Sequence, residues 1–239
     1  MTYDLSKIAI GARRALSECG IPLSQGHGLE VAAGLFSYGT YRQYLEKPYT
    51  LPDPGYLIEL LTQPFVVLDH RMAMRRLEEI KETRERPKPE LEQIVSTFAI
   101  HAQQAAPETT FFDENDFIDR HILTAHKAAV LVCEPVRQVM AEIGVVCTVY
   151  EEVERDFYEL TFSRGPDWRL EYGGHFRSPT SNGGEAENIP EVAFRATLLF
   201  PRLAPAMLGR AWTRISAWSH FPSDWRSADR GAPTYVGQF

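Results

Sequence analysis

The hydrophobic residues of this chain change their period near Val145. Upstream they recur every three or four positions; downstream they alternate with polar residues. The first spacing lines one face of a helix, the second one face of a strand. Helices followed by strands predict an α+β fold. Its expected parts are an N-terminal helical module, a middle helical layer and a C-terminal antiparallel sheet of about five strands.

In the helical half, Leu5, Ile8, Ala9, Ala12, Leu16 and Cys19 predict a helix over residues 5 to 20, with Gly20 as its stop. Ser24 fits the cap of a second helix carrying Leu29, Ala32, Ala33 and Phe36. A short third helix carries Tyr41, Tyr44 and Leu45. Pro48, Pro52 and Pro54 then remove backbone donors and fix φ, so residues 48–55 read as a linker. This separates a module at 1–47 from a helical region at 56–144. In that region Asp69 caps a helix expected to run to residue 86, and Leu91, Ile94, Val95, Phe98 and Ala102 form the stripe of the next. Asp113, Glu114, Asp116 and Asp119 suit the start of another, where the dipole favours anions. Ala128 to Cys133 reads as helix, kinked or restarted at Pro135, with a buried strand as the alternative. Residues 145–239 form the β region. Its expected strands are Val145–Val153, Tyr158–Phe162, Trp168–Tyr172, Val192–Phe200 and Arg210–Trp218, followed by an irregular tail.

Several function classes are excluded or disfavoured. Lys and Arg number 25 against 32 Asp and Glu, a net charge of −7, which argues against a wholesale electrostatic grip on nucleic acid. Three widely spaced cysteines, Cys19, Cys133 and Cys147, fit neither a disulfide framework nor a zinc ribbon, so a reducing cytoplasm is expected. No apolar run is long enough to cross a membrane, and no membrane partner is expected. None of the seven histidines has the HExxH spacing. His101 lies on the Phe98 stripe, and His121 and His126 point to different helix faces. Only His175 falls on an expected strand. No metal and no cofactor is expected.

The run from Leu23 to Tyr38, LSQGHGLEVAAGLFSY, followed by Thr40 and Tyr41, resembles the small helical domain labelled glyoxalase-related, which tends to read LSHSxALExxAxxxGYxxW. The resemblance covers about forty of the 239 residues. It departs at Ser37, where the family favours Gly, and at Tyr41, where it favours Trp. The resemblance implies a compact helical module found in accessory bacterial proteins; it does not imply glyoxalase activity.

Two sets of candidate residues remain. If the second and third helices form a helix-turn-helix, Arg42, Gln43 and Lys47 would face DNA. Residues 1 to 48 hold five Lys and Arg against four Asp and Glu, so packing or protein docking is the favoured reading. The second set is the non-core face of the sheet, with Glu159, Thr161, Arg169, Glu171, Arg195 and Thr197. Cross-strand ion pairs there are ordinary and stabilise by ~0.2–1 kcal/mol each. The functional alternative is a cleft with acid/base carboxylates and an anion-binding arginine. The tail aromatics Trp218, Phe221, Trp225, Tyr235 and Phe239 interleave with Arg226 and Arg230, which suits wrapping or docking better than base stacking.

The chain therefore reads as a non-enzymatic binding or regulatory protein of the bacterial cytosol. A protein partner is favoured over nucleic acid. The alternative is a small-molecule enzyme using Glu159, Glu171 and Arg195. Limited proteolysis should cut first between Pro48 and Gly55. A first cut elsewhere would displace the linker.

Overall fold

A computed structural model describes residues 4–46, 64–144, 149–151, 167–177, 191–220 and 234–237. The linker expected at 48–55, the strand expected at 158–162 and Lys47 lie outside the described residues. The architecture is α+β. The chain divides into two compact units, one of residues Met1–Asp119 and Arg202–Arg210, the other of Arg120–Pro201 and Ala211–Phe239.

The first unit is built on α1 (Leu5–Glu18), α2 (Gln25–Leu35) and α3 (Tyr41–Glu46). Asp4 and Ser24 accept backbone hydrogens at the starts of α1 and α2. Gly20 adopts positive φ just past α1, as its stop role requires. Strand β1 (Phe65–Val67) leads into α4 (His70–Glu79), capped by Asp69. The helix expected to reach residue 86 stops at Ile80 and resumes as α5 (Lys81–Arg84). At the break the Thr83 hydroxyl donates to the Leu77 and Ile80 carbonyls. Helix α6 (Lys88–Ala105), with Pro in its first turn, returns the chain to β2 (Thr110–Phe111), which pairs parallel with β1. Strand β6 (Met207–Leu208) pairs antiparallel with β1 on its other side. These short strands interrupt the middle region that the sequence presents as helical.

The core of this unit gathers Leu5, Ile8 and Leu16 of α1, Val31 to Leu35 of α2, Ala73 and Leu77 of α4, and Leu91 to Ala102 of α6. The helices before residue 47 thus share their core with α4 and α6. Phe36 is buried, whereas Leu29 is only partly so. Phe65, Phe111 and Phe117 form a second aromatic cluster, with Phe111 and Phe117 meeting edge-on at 4.9 Å. Phe117 closes α7 (Glu114–Phe117), which Asp113 caps; a π-helix, Ile118–His126, follows.

In the second unit, Lys127–Val132 is helical (α8), which resolves the strand alternative for the run ending at Cys133. Cys133 then precedes α9 (Glu134–Ile143) without a side-chain capping bond; Pro135 occupies the first turn, and left-handed Gly144 closes the helix. The sheet among the described residues has five antiparallel strands: β3 (Val149–Glu151), β4 (Asp167–Arg177), β5 (Glu191–Ala204, to Pro201 in this unit), β7 (Trp212–His220) and β8 (Thr234–Gly237). They pair in the order β3-β4-β5-β7-β8. The inner face carries Leu170, Tyr172, Phe176, Phe194, Leu198 and Ile215, all buried. Phe176 stacks on Phe194 at 5.2 Å, and α9 packs against β7 and β8.

Gly34 marks the closest helix contact of the first unit. A Cβ there would lie 2.8 Å from the Ala73 Cα, a backbone atom with nowhere to move. Overpacking of this kind costs ~1–3 kcal/mol, more than the ~0.5–1 kcal/mol gained by removing a helical glycine. Gly34→Ala should therefore lower the urea midpoint. Gly26→Ala in the same helix meets nothing within 4 Å and should raise or preserve it. Equal shifts for the two would refute the close α2–α4 contact.

Candidate functional site

Strand register fixes which side chains share the outer face of the second unit's sheet. Glu171 stands opposite Thr197, Gly173 opposite Arg195, and Arg169 opposite Leu199. Across β5, Arg195 meets Ser216, Thr197 meets Arg214, and Leu199 meets Trp212. Arg214 in turn stands opposite Val236. The structure thus brings Arg169, Glu171, Arg195 and Thr197 to one face. Glu159 and Thr161 lie outside the described residues.

The expected residues occupy an open surface. Arg169 and Arg195 are exposed, and Glu171 and Thr197 are half-buried. Arg169 pairs with Glu171 on its own strand. Sequence reasoning passed over the apolar group beside them. Leu199, Trp212 and Val236 are 43%, 50% and 69% exposed, and Leu199 and Trp212 are direct cross-strand neighbours. The signal was present: with Thr213, Ile215 and Ala217 inward, alternation sends Trp212, Arg214 and Ser216 outward.

The other end of this face is buried. Glu191 is 6% exposed, and its Oε2 lies 3.6 Å from the His175 Nε2. Trp218, one of the expected tail aromatics, belongs to β7; it is buried, and its Nε1 has no hydrogen-bond acceptor among the described residues. The alternating pattern alone shows neither the His175–Glu191 contact nor the unpaired indole.

In the first unit, Arg42 and Gln43 are exposed on α3, and Arg42 pairs with Glu46 at 2.6 Å. The residues around the Leu23–Tyr41 run are engaged in packing. Glu30 accepts the Tyr41 amide at 3.2 Å and the Arg76 Nη2 at 2.8 Å, tying α2 to α3 and α4. Ser37 takes the left-handed conformation, φ 60°, and its hydroxyl donates to the Asp69 Oδ2 at 3.1 Å. The amide of Tyr38 reaches back to the Ala33 carbonyl at 3.0 Å, which closes α2. Tyr44 stacks on Tyr41 and meets Tyr38 edge-on.

Among the described residues no three His, Cys, Asp or Glu side chains group as a metal site. The histidines with shifted acidity are held neutral. Burial lowers His70 below its ordinary value, against the opposing pull of Asp113, a backbone hydrogen bond to Phe112, and Asp69. Burial pushes His121 down to about 4. Burial raises the Cys133 thiol, which makes it a poor nucleophile. No protein-family model, curated protein or solved structure matches the chain.

These histidines give the protein an acid limb. Below the unfolded value of 6.5, the unfolded chain takes up a proton at His121 that the native state refuses until about 4. Stability should therefore fall as pH drops through that window, by up to ~1.4 kcal/mol per pH unit from His121 alone. His121→Phe should flatten the dependence of the urea midpoint on pH. An unchanged slope would show that this imidazole is not its source.

Proposed function

We propose that the chain is a non-enzymatic binding protein whose second unit docks an acidic protein surface through its open sheet face. The observation that carries this reading is the Leu199–Trp212–Val236 group, exposed together and flanked by Arg169, Arg195 and Arg214. Tryptophan and arginine beside aliphatic residues form the composition of binding hot spots, where a few side chains supply most of the affinity. The only acid among the flanking residues named is Glu171, so the rim favours a negative partner.

A protein partner suits this face better than nucleic acid. Single-stranded nucleic acid is held by successive aromatics on which bases stack. Here one aromatic stands between two aliphatic residues, and the whole chain carries a net charge of −7. An enzyme reading finds less support, because Arg195 is exposed and the Glu171 carboxylate is engaged by Arg169 on its own strand. The packing roles of Glu30, Gly34 and Ser37 favour a scaffold reading for the N-terminal helices over a DNA-reading one.

The test is capture from a lysate of the native host on the full-length chain, with and without nuclease. A specific protein should survive nuclease treatment and be lost with Trp212→Ser, a change expected to cost ~2 kcal/mol or more at a hot spot. Arg214→Glu should slow association and reduce its sensitivity to salt. Capture that disappears with nuclease, or that ignores both substitutions, would overturn the reading.

A further inference from the structure

We infer that His70 is a proton latch in the first unit: its neutral imidazole ties the start of α4 to the turn between β2 and α7, and acid releases that turn. The ring packs on Phe112, with centroids 4.3 Å apart, and hydrogen-bonds the Phe112 backbone. Its Nε2 is buried and has no hydrogen-bond partner among the described residues. That leaves Nδ1 as the donor to the Phe112 carbonyl, so the neutral ring carries its proton on Nδ1. The tether extends a backbone ladder. Val67 stands opposite Phe111, and the Leu68 amide donates to the Phe111 carbonyl at 3.1 Å.

A second proton has to go to Nε2, where it would be a buried donor without an acceptor. Two carboxylates act on the ring from the elements packed there, Asp69 at the start of α4 and Asp113 at the start of α7. Both attract an imidazolium, yet burial outweighs them. Both are also engaged elsewhere. Asp69 accepts the Ser37 hydroxyl at Oδ2 and the Met72 amide at Oδ1, and Asp113 accepts the Asp116 amide at 2.9 Å. Asp116, the next carboxylate of this turn, accepts the Phe112 amide at 2.7 Å and the Gln103 Nε2 at 3.1 Å. None of the three reaches the His70 Nε2. The imidazolium is satisfied only by swinging the ring toward water or Asp113, and either movement gives up the Phe112 tether. The open turn takes up the proton near the ordinary value of 6.5, and the closed turn only below it. The closed form is therefore fully favoured above 6.5 and loses ground as pH falls. The inference is independent of the docking surface, which lies in the second unit.

The test uses NMR on the full-length protein. Long-range proton–nitrogen correlations of the imidazole should place the His70 proton on Nδ1 at neutral pH. Protection of the Leu68 amide, corrected for the intrinsic pH dependence of exchange, should fall by up to tenfold for each pH unit below 6.5. Phe98, in the middle of α6, should lose less protection over the same range. His70→Asn keeps a donor in the place of Nδ1–H and cannot titrate, so it should make Leu68 protection independent of pH. A neutral tautomer with the proton on Nε2 would overturn the inference. So would Leu68 protection that ignores pH, that falls in parallel with Phe98, or that falls equally in His70→Asn. The tautomer and the comparison of Leu68 with Phe98 need only the unaltered chain, and they decide the matter even where His70→Asn fails to fold.

Discussion

The pairing of β5 with its two neighbours is the constraint on which the second unit depends. Each register pair from Asp167–Pro201 to Phe176–Val192, and from Glu191–His220 to Leu199–Trp212, assigns a side chain to one face or the other. A slip of one residue would turn Phe194, Ala196 and Leu198 outward and drive Arg195 and Thr197 into the core. The aromatic stack of Phe176 on Phe194, with Tyr172 edge-on to the same ring, makes that slip costly. The outer face is therefore fixed by what the inner face must bury.

This explains how much was legible in the sequence. Alternation along Trp168–Tyr172 and Val192–Phe200 indicates two strands with defined inward residues, and β4 and β5 follow it. The caps Ser24 and Asp69, and the helix start at Asp113, were readable because a cap acts within three residues of its own position. Strands of two or three residues, such as β1, β2 and β6, carry too little pattern for a period to register. They exist because distant segments pair: Val66 with Thr110 on one side and Met207 on the other. The His175–Glu191 contact and the unpaired Trp218 indole are non-local in the same way. They depend on which strands become neighbours, and alternation within one strand does not encode that.

The N-terminal helices illustrate a different point. Their most distinctive residues look chemical, yet each is used in assembly. Glu30 has a carboxylate that bridges a helix start and an arginine of α4. Arg76 in turn also pairs with Glu79. Gly34 lacks a side chain because the backbone of Ala73 occupies the space. Ser37 turns the chain at positive φ and anchors Asp69, which also caps α4 through the Met72 amide. A carboxylate, a glycine and a serine at fixed spacing are therefore accounted for by helix closure and close packing, and no reaction is needed to explain them.

The two ends of the outer sheet face follow opposite electrostatic rules. At the exposed end, Arg169, Arg195 and Arg214 are exposed to water, so their charge is inexpensive to hold. At the buried end, Glu191 and the Trp218 N–H have lost water, and each polar group must find a specific partner or weaken the fold. Arg195 stands between these ends, two residues from Ala193 on one side and from Thr197 on the other. Its charge contributes to the field of both.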